Sequence, residues 1–154
     1  MNCITINTDA SFHPIHQVGG YAFYIVCDLF KIQKAGQFKE EPKTAEHAEV
    51  MCIGNAIATL LAQKELPAAR FLIINNDCKY GMNNIKKQGG VYKQVRDLRN
   101  ELIQRMKVSV FQFRYVKAHN GSPDARSWVN EWCDREAKKM MRKSVKQKLK
   151  NQSA

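Results

Sequence analysis

The chain has 154 residues, of which 44% are hydrophobic and 25% charged, and 25 Lys and Arg against 14 Asp and Glu give it a formal net charge of +11. These values predict one globular domain with a sizeable core, and they exclude disordered, fibrous and disulfide-stapled miniature proteins. The positive charge favours a polyanionic partner such as a nucleic acid, although a generic basic protein would show the same excess.

The sequence carries no sign of a membrane segment or of export. No apolar run approaches the roughly 20 residues that a membrane helix needs, and the first residues lack the layout of a signal peptide. The five cysteines are odd in number and contain no C-x-x-C pair, which favours reduced thiols. We therefore expect a cytoplasmic protein without membrane association, and a monomer.

The first part of the chain has the pattern of three strands and a helix. Apolar and polar residues alternate over residues 4–9 and 30–38, and residues 21–28 are aromatic and β-branched, so all three segments are predicted strands. Pro14 and Gly19-Gly20 are expected to break the chain between the first two. Residues 44–63 have the periodicity of a helix that Pro67 closes.

The second part predicts two strands and three helices. The compact apolar run at 69–76 is typical of a buried strand, and 108–116 is the fifth strand. Helices are predicted at 79–87, 91–107 and 124–148. The order βββαβααβα predicts an α/β domain with a mixed five-stranded sheet flanked by helices. We expect the folded domain over residues 1–140 and a basic helix end or tail over 141–154.

One carboxylate of the first predicted helix occupies an apolar face. Glu49 has Ala45, Cys52, Ile53 and Ala56 at helical spacing around it. Burying an ionised carboxylate costs several kcal/mol unless a cation or strong hydrogen bonds compensate. Either Glu49 serves a charged site, or its side chain escapes to solvent or meets an arginine.

Three aspartates could share a site with Glu49. Asp9 and Asp77 end the first and fourth predicted strands, where α/β folds place ligands, although Asp is also a common turn or N-cap residue. If these two strands pair, the carboxylates become neighbours, and a hard divalent cation would relieve their repulsion. Asp134, on the last helix, is the fourth candidate; alternatively, it is an exposed helical charge.

Six short motifs together resemble the type 1 ribonucleases H. They occur in that family's order and spacing from residue 4 to about residue 140. The motifs are Thr8-Asp9-Ala10-Ser11, Gly19-Gly20-Tyr21, Ala48-Glu49, Asn76-Asp77-Cys78-Lys79-Tyr80, His119-Asn120-Gly121 and Asn130-Glu131-Trp132-Cys133-Asp134-Arg135-Glu136-Ala137. The resemblance implies the ribonuclease H fold and places the family's four acidic residues on Asp9, Glu49, Asp77 and Asp134, and its mobile histidine on His119.

The resemblance also implies a chemistry, namely endonucleolytic hydrolysis of the RNA strand of an RNA–DNA hybrid. Two Mg²⁺ ions, or Mn²⁺, about 3.5–4 Å apart would activate water and stabilise the leaving oxygen. Asp9 would bridge both ions, Glu49 and Asp77 would complete the ion nearer the leaving group, and Asp134 the ion that activates water. His119 would assist proton movement or product release.

Substrate contacts are predicted less directly by the sequence. The candidates are Ser11, Thr44, His47, Asn76, Lys79, Lys86 and Lys87. Before Glu49 the family usually carries Asn pairs that sense RNA 2′-hydroxyls, but this chain reads Lys43-Thr44-Ala45-Glu46-His47, which puts the discrimination of RNA from DNA in doubt. The segment at residues 85–96, where some members of the family carry a prominent basic segment, also has fewer basic residues in this chain.

The end of the chain offers a substitute for the reduced basic segment. Seven Lys and Arg lie between Lys138 and Lys150, where they could hold a duplex backbone or form a solvated tail. Two other functions stay open: a junction resolvase or DNA-cutting enzyme of the same fold, and a nucleic-acid-binding module that does not cleave.

Overall fold

A computed structural model describes residues 2–77, 90–116 and 125–154, the last range without the side chains of 125–127. The elements in chain order are β1 (Cys3–His13), β2 (Val18–Val26), β3 (Lys31–Gln37), α1 (Ala45–Leu61), β4 (Phe71–Asn76), α2 (Gly90–Arg105), β5 (Val110–Tyr115) and α3 (Ala125–Ser153). The helix predicted at 79–87 lies outside the described residues. The last helix runs five residues beyond its predicted end.

The strands form one mixed sheet in the order β3-β2-β1-β4-β5. β1 pairs with β2 antiparallel and with β4 parallel, and β5 continues the parallel half beside β4. The predicted α/β fold with a mixed five-stranded sheet is thus confirmed. The first and fourth strands pair, which is the condition on which the expected site depends.

Helices cover both faces of the sheet. The larger core lies on the α1 side, where Ile4 and Ile6 of β1 and Ile74 of β4 pack with Ile53 and Ile57 of α1, all fully buried. These strand residues recur at every second position and those of α1 at every fourth, so each element turns one apolar face inward. A smaller core of Ala22, Cys133 and Ala137 lies under α3.

The glycine pair at 19–20 lies inside β2, where the sequence predicted a break. β2 starts at Val18, and Gly19 and Gly20 pair with Phe12 and Ser11 of β1. A Cβ on Gly20 would collide with the backbone of α3 at Ala137 and Met141. The glycine is therefore required for the close approach of the helix, because no side chain fits between the helix and the sheet.

The prediction that Asp9 ends the first strand is also wrong. β1 continues to His13 because its antiparallel pairing with β2 continues that far, to the pair His13 and Val18. Its parallel pairing with β4 stops at Thr8 and Asn76. Asp9 is thus the first residue beyond the β4 ladder, although it lies in the middle of its own strand.

None of the helices in the three described ranges combines the length and the apolar character needed to cross a membrane.

Candidate active site

The end of the β1–β4 ladder brings together acidic residues from three elements. Asp9 follows the last paired residue of β1, and Asp77 follows β4 directly. Glu49 reaches the same point from α1, which packs over the two strands. One ligand oxygen from each of these carboxylates lies within 4.8 Å of the other two. Asp9 and Glu49 are each only 7% exposed, and Asp77 is half-buried.

Glu49 is held at the ladder end by hydrogen bonds from β1 and β4. The backbone N–H of Ala10 donates to Oε1 at 3.2 Å, and the side-chain amide of Asn76 donates to Oε2 at 2.9 Å. The same amide also donates to Oγ1 of Thr8 at 2.9 Å, so Asn76 joins β1 to the carboxylate of α1. These contacts fix the orientation of Glu49 and leave further lone pairs on both carboxylate oxygens.

Burial and mutual repulsion make this cluster electrostatically unfavourable on its own. Burial, and then the neighbouring charges of Glu49, Asp77 and Asp134, raise the pKa of Asp9 far above its usual range. Burial and Asp77 also raise the pKa of Glu49, while the hydrogen bonds from Asn76 and Ala10 work in the opposite direction. The cluster therefore favours binding of either protons or a cation.

Asp134 faces this cluster from α3 without joining it as closely. Its charge contributes to the raised pKa of Asp9. Its Oδ2 accepts from Nζ of Lys138, one helical turn later, at 2.9 Å, and the side chain is 30% exposed. Within the described residues, the compact acidic group is limited to Asp9, Glu49 and Asp77.

The available ligands match a hard divalent cation. Every member of the cluster is a carboxylate, and oxygen ligands suit Mg²⁺, Ca²⁺ or Mn²⁺ rather than soft metals. Two thiols lie close by, but Cys52 donates to the carbonyl oxygens of Asp9 and Ala22, and Cys133 to that of Asn7. Burial also raises the pKa of both thiols, so neither is a competing thiolate ligand.

Two predicted substrate residues form the N-terminal cap of α1. Thr44 is the N-cap, and its Oγ1 accepts from the backbone N–H of His47 at 3.0 Å. Nδ1 of His47 in turn accepts from the backbone N–H of Lys43 at 2.9 Å. Burial and the charge of Lys43 lower the pKa of His47. Both side chains therefore stabilise the start of the helix that carries Glu49.

The remaining predicted contacts divide into three groups. Ser11 is half-buried and lies two residues beyond Asp9, on the same face of β1. Asn76, a predicted nucleic-acid contact, is only 1% exposed, and its side-chain amide donates to Glu49. In a sequence, a buried amide and an exposed amide can both follow a run of apolar residues. Only the structure therefore shows that the Asn76 side chain is buried. Lys79, Lys86, Lys87 and His119 lie outside the described residues.

Replacing Asn76 tests whether this amide positions Glu49 for a cation. We expect Asn76→Ala to raise the divalent-cation concentration that gives half-maximal binding by about 10-fold or more, as loss of residues that orient metal ligands usually does. Asn75→Ala is the matched control, because the Asn75 amide donates to Oδ1 of Asn7 at 3.0 Å and is equally buried. Both variants should lose stability, but only Asn76→Ala should shift the metal requirement. Equal shifts would assign Asn76 a purely structural role.

The chain matches one protein family over most of its length. The family model for RNase H matches residues 1–142. Among solved structures, the chain is similar to the N-terminal RNase H domain of rv2228c from Mycobacterium tuberculosis, with a TM-score of 0.63, 15% identity and coverage of 96% of this chain and 99% of that one. LC11-RNase H1 in complex with an RNA/DNA hybrid gives a TM-score of 0.65 at 14% identity, with 92% and 99% coverage.

A third similar structure is RNase H1 from the halophilic archaeon Halobacterium salinarum NRC-1, with a TM-score of 0.60, 12% identity and coverage of 92% and 98%. Comparison with curated proteins finds no match. At these identities the solved structures establish the shared fold, while the family model establishes the relationship over most of the chain.

Proposed function

Because this chain belongs to the RNase H family, we propose that it is a metal-dependent endonuclease that hydrolyses the RNA strand of RNA–DNA hybrids. The observation that carries the proposal is the convergence of Asp9, Glu49 and Asp77 within 4.8 Å at the end of the β1–β4 ladder. One solved structure of the same fold, LC11-RNase H1, is itself a complex with an RNA/DNA hybrid.

We propose a two-metal mechanism in which Asp9, Glu49, Asp77 and Asp134 would hold the ions. Bound Mg²⁺ or Mn²⁺ would neutralise phosphoryl charge and supply an activated water. Asp9, Glu49 and Asp77 fit such ions because they are carboxylates that burial and repulsion leave in need of positive charge. Asp134 would join them after sharing or exchanging its contact with Lys138.

The rest of the site prepares these acids for the reaction. The N–H of Ala10 and the amide of Asn76 hold Glu49 in place, which removes the entropic cost of orienting it when substrate binds. Ser11 lies beside Asp9 and would contact the substrate strand. His119 would move a proton near the leaving group, since an imidazole exchanges protons near neutral pH.

One assay with four substrates tests the proposal. Labelled RNA–DNA hybrid, double-stranded RNA, double-stranded DNA and a four-way junction are incubated with Mg²⁺ and protein, and the product ends are mapped. We expect cleavage of the hybrid alone, in its RNA strand, with 5′-phosphate and 3′-hydroxyl products. Asp9→Asn protein, purified in the same way, controls for contaminating nucleases.

Other outcomes would assign the protein elsewhere. Cleavage of the junction or of double-stranded DNA would identify a different nuclease of this fold. Binding of the hybrid without any cleavage would identify a binding module. Either result would overturn the proposed activity while leaving the fold and family intact.

A further inference from the structure

The C-terminal half of α3 is anchored to the β1–β2 hairpin along one face of the helix. Ala137 and Met141 lie against Gly20, Oγ of Ser144 donates to the carbonyl oxygen of Gly19 at 3.4 Å, and Nζ of Lys148 donates to that of His16 at 2.6 Å. Lys148 also forms an ion pair with Glu41 at 3.1 Å. Residues 141–153 are therefore an ordered continuation of the helix, fixed to the sheet.

The opposite face of this helix segment is uniformly basic. At 3.6 residues per turn, the anchored positions 137, 141, 144 and 148 fall on one side, and the basic positions fall within roughly 100° of helix circumference on the other. We call the basic positions the α3 stripe. It comprises Lys139, Arg142, Lys143, Lys146 and Lys150, all of which are exposed.

The α3 stripe has no compensating negative charge. Residues 137–154 include no Asp or Glu, and among the described residues none of the five cations forms an ion pair. Like charges at a spacing of four residues, such as Lys139 with Lys143 and Arg142 with Lys146, destabilise a helix. If the α3 stripe served only solubility, Glu residues among its cations would keep the protein equally soluble and make the helix more stable. The arrangement is therefore better suited to binding an external polyanion.

Most of the α3 stripe is also too far from the helix end to be explained by the helix dipole. Cations are favourable within the last turn of a helix, which here includes Lys150. Lys139, Arg142 and Lys143 lie at least two turns before Ser153. Their positive charge therefore requires another explanation than C-terminal capping.

We infer that the α3 stripe binds the phosphate backbone of the nucleic-acid duplex at a distance from the cleaved bond. This inference rests on the proposed function, because it takes the hybrid duplex as the ligand. One helix carries both sites: Asp134 faces the acidic cluster, and Lys150 lies 16 residues later, with the centre of the α3 stripe roughly 130° around the helix from Asp134. That separation is about 24 Å along the helix axis, or roughly 7 base pairs of duplex.

A charge-neutral variant with a matched control tests the inference. The stripe variant is Lys139→Gln, Lys143→Gln and Lys146→Gln, and the control is Lys31→Gln, Lys34→Gln and Lys64→Gln, three exposed lysines on β3 and after α1. Both lower the net charge by the same three units. Each is made in the full chain that carries Asp9→Asn, so that the hybrid stays intact while its Kd is measured at several salt concentrations.

We expect the stripe variant to bind the hybrid roughly tenfold or more weakly at low salt. Its log–log salt slope should flatten by up to roughly 2.7, at about 0.9 for each phosphate that the protein no longer neutralises. The control should follow the parent protein closely. The melting temperature of the stripe variant should be unchanged or higher, because repulsion along the helix is relieved, which shows that weaker binding does not come from unfolding.

The measurements distinguish failure of the inference about the α3 stripe from failure of the proposed function. If the stripe variant and the control have the same Kd and slope, the α3 stripe does not bind the duplex, and hybrid cleavage by the wild type still stands. If the parent does not bind the hybrid at any salt concentration, the proposed function itself is wrong.

Discussion

Asp9→Asn is expected to abolish hydrolysis and to make the metal-free protein more stable. Activity should fall by about 10³-fold or more, because Asp9 lies at the centre of the acidic cluster. This loss is larger than the one expected when a single electrostatic stabiliser is removed from an active site. The free energy of unfolding without metal should rise by roughly 1–3 kcal/mol, because each unit of pKa shift corresponds to about 1.4 kcal/mol and a neutral amide avoids the cost of keeping this carboxyl group protonated in the fold. Cleavage assays and thermal melts in EDTA measure the two effects.

The pH dependence of stability provides a second measurement of the same cluster. Since the pKa values of Asp9 and Glu49 are raised in the folded protein, the folded state binds more protons than the unfolded state above about pH 4. Stability without metal should therefore fall as the pH rises from there, and Mg²⁺ should restore it. Asp9→Asn should show a shallower fall.

Asp97→Asn is the matched control, because Asp97 is an exposed aspartate on α2 paired with Lys93. It should leave activity and the pH profile of unfolding unchanged. If Asp9→Asn retained wild-type turnover, the assignment of the cluster as a catalytic metal site would be wrong.

Gly20→Ala is expected to produce the largest loss of stability among conservative substitutions outside the acidic cluster. The added methyl group would meet backbone atoms of α3, which cannot rotate away as a side chain can. Overpacking usually costs about 1–3 kcal/mol, and we expect at least the upper value, because the whole helix must move. A protein of this size should then melt roughly 6–12 °C lower. Activity should fall as well, since α3 carries Asp134.

Gly54→Ala provides the comparison for this prediction. Gly54 is buried in α1, and a Cβ there would meet only a side-chain methyl group of Val95 at 2.9 Å. Val95 can adjust, and alanine favours the helix by about 0.5–1 kcal/mol over glycine. Equal melting temperatures for the two variants would show that Gly20 does not fix the distance between α3 and the sheet.

The sheet was predictable because alternation and apolar runs report burial directly. The apolar run at 69–76 indicated a buried strand, and β4 does lie inside the sheet, between β1 and β5. The location of Glu49 was also predictable, since its apolar neighbours on α1 placed it on the inner face of the helix. Both features depend on the periodicity of side chains, which a sequence displays in full.

The errors occurred where the controlling contact is distant in sequence. Gly19-Gly20 looks like a turn, but its role is set by α3, more than a hundred residues later. The end of β1 looked fixed by Asp9, but β2 extends it. The hydrogen-bond partners of Asn76, Thr44 and His47 are likewise not identifiable from a linear pattern, and their predicted contacts with substrate stay predictions.

The unequal lengths of β1 and β4 have a consequence for association. Among the described residues, β1 continues beyond Thr8 without a partner strand on its β4 side, and strand edges of this kind can pair with a strand of another molecule. At this point Glu49 accepts a hydrogen bond from the backbone N–H of Ala10, which places a carboxylate beside this part of β1. Glu49 therefore occupies a main-chain donor of this edge in addition to its proposed place in the metal site, and we expect Glu49→Ala to be more prone to self-association than Glu49→Gln, which light scattering would detect.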